Sequence, residues 1–212
     1  RVNGLLQADK EADSLDNVLL IYCRLAQLAA FRDRTMEMVK NAPSSLVYTL
    51  KRYFKKLDDL SAAFDSFYWA WPGKLTQLAQ DGAKRGAEIV KIAQVLNRMP
   101  DTTRSRFFEI LDVQVSNLYA LIDDAKLGEI DEALEAMSFY AEDLKLVRDQ
   151  LAPRFPQHLA LLDFYLLAHH RNIHTVLNKI LVKSKKPAPT STTSASAAAA
   201  KNPQLTAGQI LS

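Results

Sequence analysis

The stretch SSLVYTLKRYFKKLDDLSAAFDSFYWAWPG, residues 44–73, decides the fold. Leu46, Leu50, Tyr53, Leu57, Leu60, Phe64, Phe67 and Trp71 follow one another at alternating steps of four and three. That spacing keeps one stripe of a helix facing a partner. Phe54, Ala63 and Tyr68 widen the stripe, which favours a multi-helix bundle over a two-stranded coil. Lys51, Arg52, Lys55, Lys56, Asp58, Asp59, Asp65 and Ser66 make the other face polar. Each large apolar side chain contributes roughly 1.5–3 kcal/mol when fully buried, against at most about half a kcal/mol for an exposed helical ion pair. The apolar stripe therefore governs packing, and its eight residues are the candidate packing or partner seam.

Toward the N-terminus, Leu15, Val18, Tyr22, Leu25 and Ala29 repeat the rhythm, and Phe31, Met36 and Val39 continue it with drift. Asp13 or Ser14 is placed to cap this helix, and Ser44 or Ser45 the next. The short Asn41-Ala42-Pro43 connection makes the two helices antiparallel neighbours. Residues 1–13 are polar and read as a helix end or a loop.

Toward the C-terminus, Pro72-Gly73 interrupts the seam, because Pro removes a backbone donor and disfavours helical geometry at Trp71. The series resumes through Leu75, Leu78, Gly82, Arg85, Ile89, Ile92, Leu96 and Met99. Two successive steps of four, Phe67 to Trp71 to Leu75, form a stutter at the proline. The expectation is one spine with a kink or short break near 72–73, roughly 80 Å long if continuous from Ser45 to Met99. Further seams run through Phe108, Leu111, Val115, Leu118, Ile122 and Ala125. Others follow through Ala133, Met137, Tyr140, Leu144, Val147 and Leu151, and through Leu159, Leu162, Leu166, His169, Ile173, Val176 and Ile180. Gly128 fits a position just past a helix end. Residues 1–182 thus read as one segment of antiparallel helical bundle. Residues 183–203, rich in Lys, Pro, Ser, Thr and Ala, read as a disordered linker. Residues 204–212 read as the start of a further bundle.

Composition supports an all-α class: 6 Gly in 212 residues, abundant Leu and Ala, and no period-two run. A net charge of +3 argues against a dedicated nucleic-acid binder. Cys23, the single cysteine, cannot form an internal disulfide and reads as a small buried side chain in a reducing compartment. No apolar run reaches the ~18–20 residues that span a bilayer. Arg1-Val2-Asn3-Gly4 shows no signal-peptide pattern, and the ends of the chain suggest a fragment of a longer protein.

Chemistry-bearing motifs are sparse. His170 and His174 share a helix face, with His158 and His169 nearby, but the His-Arg-Asn-Ile-His spacing lacks a third ligand and the Glu of a zinc-protease helix. Asp123, Asp124, Glu129, Asp131, Glu132 and Glu135 suit a helix N-terminus and a solvated face better than acid–base catalysis. No phosphate loop or nucleophile elbow is present. The expectation is a non-enzyme with no metal and no cofactor. Lys51, Arg52, Lys55 and Lys56 form a candidate patch for anionic lipid or an acidic partner helix. Phe67, Tyr68, Trp69 and Trp71 make an aromatic end suited to core packing or a partner anchor.

Several of these motifs occur in an order that resembles one family. Leu19-Leu20-Ile21-Tyr22 through Phe31-Arg32-Asp33, then Ser44-Ser45-Leu46, Thr49-Leu50, Tyr53-Phe54 and Leu57, resemble the exocyst Sec-six subunit family (exocyst complex component three). Phe155-Pro156, Phe164-Tyr165 and His169-His170 resemble its later aromatic helix, and Leu205 through Leu211 the opening of its next helical section. Where the family often carries an acidic pair, Ala93-Gln94-Val95-Leu96-Asn97 stands here. The resemblance implies an elongated rod of stacked antiparallel bundles. It implies a middle segment of one subunit of an eight-subunit complex that tethers secretory vesicles to the plasma membrane before SNARE-mediated fusion. Its implied partners are other exocyst subunits and SNARE proteins, with peripheral membrane association through the complex. The alternatives are another helical-rod tether, a SNARE-regulatory module, or a module that binds anionic membrane directly.

Overall fold

The computed structural model describes residues 1–82, 85–120, 122 and 130–184, with backbone alone at 130, 132, 183 and 184. Among the described residues the elements are helical and no strand occurs. The long elements are α1 (Val2–Ala12), α2 (Val18–Met38), α3 (Ser44–Tyr68), α4 (Leu75–Gln80), α5 (Gly86–Leu96), α6 (Asp101–Ala120), α7 (Ile130–Ala136), α8 (Phe139–Leu146) and α9 (Leu161–Ser184). The expected 183–203 linker and 204–212 bundle start fall outside the described residues, apart from the backbone of Lys183 and Ser184, which continues α9.

Helix α5 explains the arrangement. Ile89, Ile92, Ala93, Val95 and Leu96 are all buried, and they occupy more than one face of the helix. A helix apolar on several sides has to be enclosed. Helices α2 and α4 pack against it, as does the turn Ala152–Arg154. The Tyr68 hydroxyl of α3 donates to the Ile92 carbonyl at 3.0 Å, and the Tyr22 hydroxyl of α2 donates to the Arg98 carbonyl at 3.1 Å. Salt bridges Arg85–Asp13 (2.9 Å) and Lys91–Asp16 (2.6 Å) tie the edges of α5 to the α1–α2 connection.

These contacts correct the single-spine expectation for 45–99. Helix α3 ends at Tyr68, a 3₁₀ turn follows at Pro72–Lys74, and Gly82 takes φ 62°, the left-handed region that glycine enters freely. Helix α5 then folds back so that Ile92 meets Tyr68. Trp71 itself keeps helical angles, φ −79° and ψ −43°, so the proline turns the chain tightly without extending the residue before it. The apolar positions Leu75, Leu78, Ile89, Ile92 and Leu96 are all buried, now on two short helices that serve one core, and Met99 is buried in the turn after α5.

Two local expectations also change. Residues 2–12 are a helix packed on α2, with Leu6 and Asp9 buried. Neither Asp13 nor Ser14 caps α2. The N-cap residue is Asn17, and the buried carboxylate of Asp9 holds it from the previous helix, accepting from the Asn17 backbone N–H at 2.9 Å and from the Asn17 side-chain amide at 2.7 Å. A negative group at that helix start also meets the positive end of the helix dipole. Pro43 precedes α3, and no side chain caps it.

Helices α6 and α9 form the other half of the core, joined by a tilted Phe108–Phe164 ring contact at 4.9 Å, while Phe107 meets Phe155 at 5.6 Å. His169, at the centre of α9, is buried. Its Nδ1 lies 2.9 Å from the Tyr119 hydroxyl of α6 and its Nε2 lies 2.8 Å from Asp143 Oδ2 of α8. One imidazole thereby bridges three helices.

Burial pushes the Tyr119 hydroxyl up to about 12 and raises Tyr68 and Tyr165 as well. An unfolded tyrosine ionises near ~10, so above that pH the unfolded chain binds fewer protons than the folded one and stability falls. The expected outcome is full stability below about pH 10 and cooperative unfolding above it, with tyrosinate absorbance and loss of helical circular dichroism rising together. Stepwise ionisation without loss of helix would contradict this packing.

Candidate interaction surface on the α2–α3 hairpin

Helices α2 and α3 pair along a line that differs from the sequence-read seam. On α3 the inward positions are Val47, Leu50, Phe54, Leu57, Ser61, Phe64 and Tyr68, alternating by three and four and all buried or half-buried. On α2 they are Val18, Tyr22, Leu25, Ala29, Arg32 and Met36, with Val39 just past its end. Tyr22 meets Phe64 with ring centroids 6.3 Å apart, Phe31 meets Phe54 at 6.1 Å, and Arg32 Nη1 pairs with Asp58, which confirms the antiparallel register.

Of the eight seam residues, Leu50, Leu57 and Phe64 lie on this line, and Trp71 is buried in the core beyond the end of α3. Leu46, Tyr53, Leu60 and Phe67 each fall one residue before an inward position. They form a second stripe, rotated to one side. Its proximal members, Leu60 and Phe67, pack half-buried against the core cluster. Its distal members do not: Leu46 is exposed and Tyr53 is 73% exposed, whereas neighbouring Phe54 is 7% exposed.

Helix α2 carries a matching stripe that sequence reasoning missed. Beyond Leu25 none of its side chains is fully buried, and Leu28, Phe31 (60% exposed) and Met38 (81% exposed) stand in solvent. At about 100° per residue these three lie roughly 60–140° to one side of the α2 contact line, and Leu46 and Tyr53 lie roughly 60–80° to the same rotational side of the α3 line. In an antiparallel pair, equal rotations about the two axes fall on the same side of the pair. The two stripes therefore border one apolar groove along the distal hairpin.

Lys51, Arg52, Lys55 and Lys56 are all exposed on α3. Of Asp58 and Asp59, which in the sequence stand beside this group as offsetting charges, Asp58 is turned toward α2 and held by Arg32, itself bonded to Asp33 at 2.8 Å, while Asp59 stays exposed on α3. The aromatic end is core: Tyr68, Trp69 and Trp71 are buried, with the Arg106 guanidinium 4.9 Å from the Trp69 ring and the Lys74 ammonium 5.2 Å from the Trp71 ring.

Elsewhere, a cavity of about 780 Å³ lies between α4, α6 and α8, with Thr76, Gln114, Asp143 and Tyr165 on its walls. Asp143 is committed to His169, and the Gln114 amide donates to the Gly73 carbonyl. His170 and His174 are exposed, His174 sits 3.1 Å from the Asn178 amide, and His158 faces Arg104. Among the described residues no group of three or more His, Cys, Asp or Glu is placed to hold a metal ion. Asp123, Asp124, Ala125, Gly128 and Glu129, and the side chain of Glu132, lie outside the described residues; Asp131 and Glu135 are exposed. No described helix is long and apolar enough to cross a membrane.

Compared with protein families, curated proteins and solved structures, the chain matches none.

The register assigns opposite fates to two adjacent aromatics. Phe54→Ala is expected to cost about 3 kcal/mol, the cost of emptying a buried aromatic site. Tyr53→Ala is expected to cost less than about 1 kcal/mol, as at other exposed positions. Urea unfolding of the two variants checks this, and equal losses would refute the register. Replacing Phe31, Met38 and Tyr53 together by Gln should lower the binding of a hydrophobic dye while leaving the unfolding midpoint nearly unchanged.

Proposed function

We propose that this chain is a scaffold segment that works by helix-to-helix contact in a multisubunit tether, and that the tether is the exocyst, whose Sec-six subunit family its motif order resembles. The observation that carries the reading is the distal α2–α3 hairpin, whose two exposed apolar stripes border one groove. Exposed apolar surface of this kind marks contact sites. Of the residues that form it, Phe31 on α2 and Leu46 and Tyr53 on α3 are among those that carry the resemblance. In this reading the bundle is one section of an elongated rod. The protein acts peripherally at plasma membrane sites of exocytosis, with other exocyst subunits and SNARE proteins as partners.

Helical-rod tethers and SNARE-regulatory modules outside the exocyst share this architecture, and partner identity separates them. A membrane reading has one observation in its favour, the exposure of Lys51, Arg52, Lys55 and Lys56 with Asp58 turned away to Arg32. Sedimentation with anionic vesicles tests it: binding that survives replacement of all four by Ala removes that patch from consideration.

The main test is affinity purification of the full-length protein, wild type and Leu46→Glu/Tyr53→Glu. The wild type is expected to recover exocyst subunits, and the variant to stay folded while losing at least one of them by about tenfold, the scale of a disrupted interface hot spot. Recovery of a partner set without any exocyst subunit would refute the assignment.

A further inference from the structure

The groove has a charge pattern that specifies its occupant. On the side of the hairpin that carries Leu28, Phe31, Met38, Leu46 and Tyr53, the charged positions are Arg24 on α2 and Lys56 on α3. Arg34 and Arg52 extend the positive rim along the outer edges of the two helices. The other carboxylates of this hairpin section face elsewhere, apart from Asp59, which is exposed on the same outer edge of α3 seven residues after Arg52, so that the flank and its rim carry four cations and one carboxylate. Asp33 and Asp58 gather around Arg32, and Glu37 pairs with Lys40, on the opposite side. Among the described residues Arg24, Arg34, Arg52 and Lys56 make no ion pair.

We propose that the groove receives one acidic amphipathic helix from a partner subunit, completing a three-helix bundle with α2 and α3. The inference rests on the scaffold reading only in taking the hairpin as a contact surface. A third helix is favoured by shape: the apolar residues recur at steps of three and seven along two antiparallel helices, the arrangement that accepts the ridge of another helix. Leu28 to Met38 spans ten residues of α2, so the groove holds roughly 15 Å, or about three turns, of the incoming helix. Its seam would seat against Phe31 and Tyr53, and its Asp or Glu flanks would meet Arg24 and Lys56. A second copy of this chain is disfavoured because it would bring the same four cations against their equivalents. A bilayer is disfavoured because the two stripes lie along the common flank of a helix pair and border a groove rather than forming one outward ridge.

The test places a photo-crosslinking amino acid at Phe31 in the full-length protein within its native assembly, and a control at Glu37 on the opposite side. The expected adduct at position 31 maps to a partner segment with apolar residues at three–four spacing and more Asp and Glu than Lys and Arg. The control should not give it. Arg24→Glu with Lys56→Glu should lower its yield about tenfold, the scale of two reversed rim charges. An adduct to lipid, to a second copy, to another part of this chain or to a basic segment would overturn the proposal, as would a yield unaffected by the charge reversal. Recovery of exocyst subunits in the same preparation reports on the scaffold reading separately, so the two can fail independently.

Discussion

Enclosing α5 is the constraint on which the rest of the structure depends. Its five buried side chains occupy more than one face, so no single neighbour can cover them. Helices α2 and α4 are drawn around it, and α3 approaches closely enough for the Tyr68 hydroxyl to reach the Ile92 carbonyl. The reversal after α3 follows from that demand. Pro72 and Gly82 supply the two places where the chain can turn: one lacks a backbone donor, and the other enters positive φ without steric cost.

The same demand leaves the distal hairpin free. The α2 and α3 residues near the core spend their apolar faces on Tyr68, Phe64 and the α5 neighbourhood. Farther out, each helix has only the other to cover it, and two helices in contact cannot cover a stripe that lies on their common flank. Phe54 closes the inner line, while Phe31 and Tyr53, both ring neighbours of Phe54, remain outside it. The uncovered surface thus follows from the geometry of a pair.

The helical class and the antiparallel pairing of α2 with α3 were legible because the three–four rhythm and the short 41–43 connection each have one physical reading. The α2 line was legible through Val18, Tyr22, Leu25 and Ala29, which keep the three–four spacing. The α3 register was not. Leu46–Val47, Tyr53–Phe54 and Phe67–Tyr68 each offer apolar residues at two adjacent positions, so two seams fit the same stretch, and only the partner helix selects between them. The fold-back of α5 was hidden because a buried stripe has the same spacing whether its helix continues straight or returns. Asp9 as the partner of Asn17 at the start of α2 and Asp143 as the partner of His169 were hidden because both contacts cross between elements. A local capping or motif rule does not reach that far.

Hydroxyl-radical footprinting, read residue by residue on the chain alone and within its native assembly, tests the central claim most directly. The account predicts that Phe31, Met38 and Tyr53 react readily in the isolated chain and are protected together in the assembly, while Phe54 is protected in both. Equal reactivity of Phe31, Met38 and Tyr53 in the two states would contradict it.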